Sequence, residues 1–216
     1  MKVNEIFLSI DGEGIRAGMP TTFIRLFGCN IKCSYCDSLY SCNLSEKDAS
    51  YDEMTVEEIL DICNDLECPN ITLTGGEPLI HENVYTLIQE LVNHNYWVNV
   101  ETNGSIVPVF RHPYLFYTMD FKTKSSGMSD RMSEEALNFL CKKDALKFVV
   151  GSEEDMNQAL QIIYNLKSDP QIYFSPVFGK IDPQDIVKFL LDNKMFASKI
   201  QLQMHKIIWD PNMRGV

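Results

Sequence analysis

Apolar runs with strand character recur along the chain and helical patterns separate most of them, an alternation that limits the fold more than any other feature. The strand-like runs are residues 3–10 (VNEIFLSI), 21–28 (TTFIRLFG), 71–76 (ITLTGG), 96–103 (YWVNVETN), 114–122 (YLFYTMDFK), 145–151 (ALKFVVG), 171–177 (QIYFSPV) and 199–205 (KIQLQMH). Helical spacing marks 55–66, opened by the cap residue Thr55, then 82–94, then 133–142, opened by Ser133 with Glu135 nearby, then 153–166 and 182–193. This order predicts an α/β fold of parallel strands and crossover helices in about six βα units. A closed barrel takes eight units and typically about 250 residues. The chain has 216, so the expectation is an open partial (βα) barrel, a single domain over 1–216, with its mouth at the C-terminal strand ends. Residues 43–52 and 122–130 are polar and read as loops free to move near that mouth.

Composition removes several classes of function. With 45% hydrophobic and 23% charged residues, the chain is expected to be globular and soluble. Its 19 basic and 30 acidic residues leave a formal charge of −11, which argues against nucleic acid and against an anionic membrane surface as partners. No apolar run reaches the roughly 18 residues of a membrane span, and MKVNEIFLSIDGEG lacks the cationic and apolar blocks of a signal peptide. A cytoplasmic location is expected. Seven cysteines then read as reduced thiols and metal ligands, with Cys63, Cys68 and Cys141 suited to plain burial.

The remaining cysteines point to chemistry. Cys29, Cys33 and Cys36 lie in GCNIKCSYCDS, three residues apart and then two. Thiolates at these intervals can wrap an iron–sulfur cluster, and three of them leave one iron open. A structural zinc site needs a fourth ligand, and the nearest candidate, Cys42, forms no second CxxC. Spacing ranks the cluster above zinc without excluding zinc. A second motif, TLTGGEP at 72–78, ends a strand in two glycines, an acid and a proline. Glycines there let backbone approach a ligand, and the Glu77 carboxylate could accept hydrogen bonds from an amine. A tight turn with a surface glutamate would read the same way.

Together these motifs resemble those of the radical S-adenosylmethionine superfamily, in which three cysteines hold a [4Fe-4S] cluster and a Gly-Gly-Glu-Pro segment engages the methionyl amine. The resemblance implies that S-adenosyl-L-methionine chelates the open iron, and that one electron cleaves its sulfonium to give a 5′-deoxyadenosyl radical. Within that superfamily, EIFLSIDGEGIRAGMPTTFIRLFGCN (5–30), CDS (36–38) and LQMHKIIWDPNMRGV (202–216) are similar to the 7-carboxy-7-deazaguanine synthase family, and the similarity spans the chain. It implies a lyase that contracts the ring of 6-carboxy-5,6,7,8-tetrahydropterin with loss of ammonia, a step towards 7-deazapurines such as the queuosine precursor. It also implies Mg2+, a homodimer and an electron donor such as flavodoxin or ferredoxin.

The resemblance assigns expected roles residue by residue. Cys29, Cys33 and Cys36 hold the cluster. Ser38 matches a magnesium-binding hydroxyl, which substrate oxygens must supplement because Mg2+ binds neutral oxygen weakly. Tyr35, Cys36, Asp37, Gly75, Gly76, Glu77, Asp120, Phe121, Lys122, Ser175, Pro176, Val177 and Phe178 match segments that contact the cofactor. Ile10, Asp11, Gly12, Glu13, Arg25, Thr74 and Val216 match the substrate side. Many relatives carry glutamine at Asp11, so a backbone role is the safer expectation there. The Arg25 guanidinium suits a carboxylate fork, although a surface ion pair would also use it. Glu101 and Asn103 are secondary candidates for ribose hydroxyls. His205 and Trp209 are expected to pack or cap. Val216 is expected to present a terminal carboxylate to the pterin, so that extending the C-terminus would impair turnover. Two rivals share parts of this pattern. One is the activating enzyme of anaerobic ribonucleotide reductase, against which Arg25 and the GV ending argue. The other is a non-enzymatic zinc module using the same cysteines.

Overall fold

A computed structural model describes residues 1–42, 50–211 and 213–216. Strands β1 (Lys2–Ile10) and β2 (Pro20–Leu26) form an antiparallel hairpin, and the short β3 (Asp52–Glu53) pairs with the start of β1. From β2 onward each neighbouring pair is parallel, through β4 (Asn70–Gly75), β5 (Trp97–Thr102), β6 (Leu115–Phe121), β7 (Ala145–Val150), β8 (Gln171–Pro176) and β9 (Lys199–Ile200). Helices α1 (Val56–Asp65), α2 (Val84–Asn93), α3 (Glu134–Phe139), α4 (Glu153–Asn165) and α5 (Pro183–Asp192) lie on the crossovers, and α6 (His205–Ile208) follows β9. The strand order 3-1-2-4-5-6-7-8-9 is linear, so the sheet is open, as expected for a partial (βα) barrel. No described helix is long and apolar enough to cross a membrane.

Local chemistry sets the helix ends. Thr55 and Glu58 form a capping box at α1; Ser133, Ser152 and Asp182 accept backbone N–H groups at the starts of α3, α4 and α5. α3 is shorter than expected. It stops at Phe139 because the buried Asp144 carboxylate draws the chain into a turn, accepting from the backbone N–H groups of Cys141 (2.8 Å) and Tyr117 (2.9 Å). The run 199–205 is likewise not one strand. Only Lys199 and Ile200 join the ladder, after which Gln201 exchanges hydrogen bonds with Gly14 (2.7 and 3.1 Å) and the Met204 N–H donates to the Gly12 carbonyl (3.2 Å). This segment bridges the open side of the barrel, from the β8–β9 edge to the loop after β1. Of the expected loop 43–52, residues 43–49 lie outside those described, and Asp52 opens β3.

Alternation along the strands separates two faces. One face, with Ile24, Leu26, Ile71, Leu73, Val98, Val100, Met119, Leu146, Phe148 and Phe174, is fully buried in the main core under the helices. The alternate positions are largely polar: Thr72 and Thr74, Asn99 and Glu101, Thr118 and Asp120, Lys147, Ser175. They form the lumen. Its floor is plugged by Arg16, which is fully buried and donates to Asp11, to the carbonyls of Trp97 and Ile71, and to Thr72. Those carbonyls begin β5 and β4, so the plug sits at the N-terminal strand ends and leaves the opposite end for chemistry.

Candidate active site

A cavity of about 890 Å³ opens at the C-terminal strand ends. The cysteine loop forms one wall and enters directly from β2. At its start, the Gly28 N–H donates to the Ser41 carbonyl (2.7 Å), and the Gly28 carbonyl accepts from the Glu77 N–H (2.8 Å). A Cβ at Gly76 would stand 2.1 Å from the Gly28 oxygen; one at Gly75, whose φ is +143°, would stand 2.1 Å from the Leu26 oxygen. The paired glycines are therefore required by the passage of the cysteine loop across the end of β4. The far side of the loop is pinned too. Ser34 donates to the carbonyls of Ser126 (N–H, 2.9 Å) and Ser125 (Oγ, 2.6 Å), and the Ser125 and Gly151 N–H groups both donate to the buried Asp155 carboxylate (2.9 and 2.7 Å). Residues 122–130, expected as a free loop, instead contain 3-10 turns bonded on both sides.

All seven cysteines are free thiols, and Cys29, Cys33, Cys36 and Cys42 line the cavity. Hydrogen bonding to Cys42, working against burial, lowers Cys29 and Cys36 to about 6, whereas burial pushes Cys33 up to about 11. Cys42 itself is driven far up by its hydrogen bonds to Cys29 and Cys36. Three free, half-buried thiols on one wall, two of them acidic, fit an iron–sulfur cluster. Among the described residues no three His, Cys, Asp or Glu side chains converge as a single-ion site. For Mg2+ the wall offers the Ser38 hydroxyl, 3.9 Å from the Cys36 sulfur, while the neighbouring Asp37 carboxylate is tied to Lys206 (3.2 Å). One neutral oxygen fits Mg2+ only with oxygens brought by a substrate.

The Glu77 side chain does not face the cavity. It is fully buried, accepts from the Leu79 N–H (3.0 Å), the Thr102 hydroxyl (2.9 Å) and the Asn103 N–H (2.6 Å), and burial raises it to about 7. The expectation that its carboxylate receives an amine is corrected: in this motif the glutamate braces the turn, and the glycines form the exposed edge.

The same cavity is lined by a chain of alternating charges. Glu13 accepts from Lys147 (3.1 Å) and from the Ser175 hydroxyl (2.7 Å); Lys147 also reaches Asp120 (3.4 Å), and Asp120 pairs with Lys122 (2.9 Å). Burial acts to lower Lys147, but Glu13, Asp120 and Glu101 outweigh it and raise it well above its ordinary value, so it stays cationic. Asp120 Oδ1 is buried with no partner among the described residues, leaving an acceptor for an incoming donor. Thr74 donates to Glu101 (2.8 Å), whose pKa burial raises. Arg25 donates through Nε to Glu5 (2.7 Å), in a half-buried pair.

Of the sequence-predicted residues, Ile10, Gly12, Glu13, Arg25, Cys29, Cys33, Tyr35, Cys36, Asp37, Ser38, Thr74, Gly75, Gly76, Asp120, Lys122, Phe178 and Val216 line this one cavity. Six do not. Asp11 is committed to Arg16, Thr21 and Thr72, and its backbone N–H and carbonyl to Met19 and Gly18. Glu77 turns inward. Phe121 points to the helix side and packs on Phe148. Ser175 acts behind Glu13, while Pro176 and Val177 are buried where the chain leaves β8. Sequence reasoning passed over Lys147, Tyr40 and Lys206, which line the cavity, and His205 does so as well, its ring against Gly12. The signal for Lys147 was a lone cation at an alternate position of the otherwise apolar run ALKFVV.

Fold and site together define a radical S-adenosylmethionine protein, and residues 23–111 match the family model described as Radical SAM superfamily. The chain is 44% identical to the 7-carboxy-7-deazaguanine synthase of Clostridium acetobutylicum, over 100% of this chain and 99% of that one. It is 37% identical to the synthase of Methanospirillum hungatei (98% and 86% covered) and 34% identical to that of Chlorobaculum tepidum (100% and 97%). Among solved structures, QueE from Escherichia coli superposes with a TM-score of 0.78 at 21% identity, covering 94% of each chain, and Streptococcus suis SuiB bound to S-adenosylmethionine with 0.57 at 11%, covering 83% of this chain and 51% of SuiB. The chain belongs to the 7-carboxy-7-deazaguanine synthase family.

Proposed function

We propose that this protein converts 6-carboxy-5,6,7,8-tetrahydropterin to 7-carboxy-7-deazaguanine with release of ammonia. Full-length identity of 44% to a synthase supports the reading most strongly. The cavity is consistent with it, because Arg25 and Glu13 share one chamber with the three cysteines. When bound, the [4Fe-4S] cluster and S-adenosyl-L-methionine supply the radical that starts the reaction.

The remaining work falls to the chain itself. Cys29, Cys33 and Cys36 hold the cluster, and the glycine edge at 75–76 receives the cofactor beside it. Glu13 and Asp120, both paired with Lys147, accept from the donor-rich edge of the pterin. Arg25 orients the substrate carboxylate, while Ser38 gives one ligand to a Mg2+ completed by substrate oxygens. The bridge 201–205 and residues 213–216 shield the chamber from bulk water on its open side. An electron donor such as flavodoxin or ferredoxin, a homodimer and a cytoplasmic, thiol-reducing setting complete the proposal. Anaerobic incubation of the reduced holoenzyme with the carboxypterin tests it. Ammonia and the deazaguanine acid are expected, and a glycyl radical on an added ribonucleotide reductase without either product would favour the rival activating enzyme.

A further inference from the structure

Four of the cations lining the cavity are paired with acids. Arg25 has Glu5 (2.7 Å), Lys122 has Asp120 (2.9 Å), Lys147 has Glu13 (3.1 Å) and Lys206 has Asp37 (3.2 Å). Two lining cations, Lys32 and Arg214, form no ion pair among the described residues. Lys32 sits between Cys29 and Cys33 and belongs to the cluster wall. Arg214 lies at the other end: its guanidinium carbon stands 4.0 Å from the centroid of the Tyr40 ring, over which Arg25 also lies at 5.8 Å. The Tyr40 hydroxyl donates to Glu5 Oε1 (3.1 Å), the same oxygen that accepts from Arg25 Nε. Glu5, Tyr40, Arg25 and Arg214 are therefore one assembly.

Its charge balance matters for an anionic ligand. A carboxylate that settles on Arg25 meets a guanidinium already neutralised by Glu5, so the pair supplies hydrogen-bond geometry with little net attraction. Beyond what a bound Mg2+ would bring, the charge must come from the chain, and Arg214 is the cation at that end with no ion pair among the described residues. We infer that Arg214, held on the Tyr40 ring, is the second guanidinium of the substrate-carboxylate site and makes the cavity selective for an anionic over a neutral pterin. The inference rests on the substrate reading above and deepens it. Arg25 sets the angle of the carboxylate, and Arg214 sets the preference for its charge.

The test measures equilibrium binding of two ligands to the cluster-loaded protein under anaerobic conditions: the 6-carboxytetrahydropterin and its uncharged 6-hydroxymethyl analogue. Arg214→Ala should weaken the carboxypterin about tenfold or more and leave the neutral analogue within about twofold. Arg214→Gln, which keeps length and loses charge, should behave alike, and Arg214→Lys should recover part of the loss. In turnover, KM for the carboxypterin should rise by a similar factor with kcat nearly unchanged. Equal weakening of both ligands would assign Arg214 to shaping the tail and overturn the inference, as would unchanged carboxypterin binding. Wild-type protein that prefers the carboxypterin over the neutral analogue yet makes no product from it would instead overturn the proposed reaction, while the Arg214 comparison would still be read from binding.

Discussion

Glu77 shows how one buried side chain decides the behaviour of its motif. Its carboxylate is enclosed and raised from 4.5 to about 7, burial outweighing the hydrogen bonds from Asn103, Leu79 and Thr102. A folded-state value above the unfolded one means that the folded chain holds the proton more tightly. Stability is therefore fully present below pH ~4.5 and is lost as pH rises through about 7, by on the order of 3 kcal/mol. Urea unfolding of the cluster-free protein between pH 4.5 and 8 should show this fall, and Glu77→Gln should flatten it while lowering stability throughout. An equally steep slope in the variant would assign the titration elsewhere. At this scale the sequence was only partly legible. GGEP marked the right place, yet nothing in those four letters says that the glutamate turns inward; that follows from Thr102 and Asn103, 25 and 26 positions away. Asp11 is similar, because its partner Arg16 is near in sequence but their joint burial depends on the first residues of β4 and β5.

Among the elements, the cysteine loop is held by two clasps. One is the glycine edge of β4. The other runs from Asp155, at the third position of α4, through Ser125 to Ser34 inside the cluster motif. Asp155→Ala would leave two backbone N–H groups unpaired, at about 1–3 kcal/mol each. It should also free the loop: iron loss to a chelator should accelerate well beyond that of Thr55→Ala, a distant cap deletion costing about 1 kcal/mol. Equal chelation rates in the two variants would reduce the clasp to general stability. Elements were the most legible scale, since capping residues and strand alternation are local signals. The expected helices at 55–66, 153–166 and 182–193 match α1, α4 and α5 to within about a residue at each end. Where expectations failed, a distant contact was responsible, as when Asp144 ends α3 or Gly12 and Gly14 draw residues 201–204 out of the sheet.

For the whole molecule, the six parallel strands from β2 to β8, counted with β4 to β7 between them, follow chain order, as the repeat of patterns predicts. The run 3–10 is legible as the strand β1, but its antiparallel direction is not, because orientation leaves no mark in a strand's own residues. The polar lumen was legible in principle: a parallel sheet covered on both faces would show near-continuous apolar strands, whereas these carry Thr74, Glu101, Asp120 and Lys147 at alternate positions. That alternation sets Arg25, Thr74, Glu101, Asp120 and Lys147 around one chamber that the cysteine loop also lines, and the proposed reaction requires them to act together. The most direct measurement is anaerobic turnover of reconstituted wild type and Cys33→Ala with the carboxypterin, S-adenosyl-L-methionine and reductant, following cluster absorbance, 5′-deoxyadenosine, ammonia and 7-carboxy-7-deazaguanine in the same sample. Wild type should form product and ammonia in equal amounts, and Cys33→Ala should lose the absorbance and every product. Product formation by Cys33→Ala, or 5′-deoxyadenosine without deazaguanine in the wild type, would contradict it.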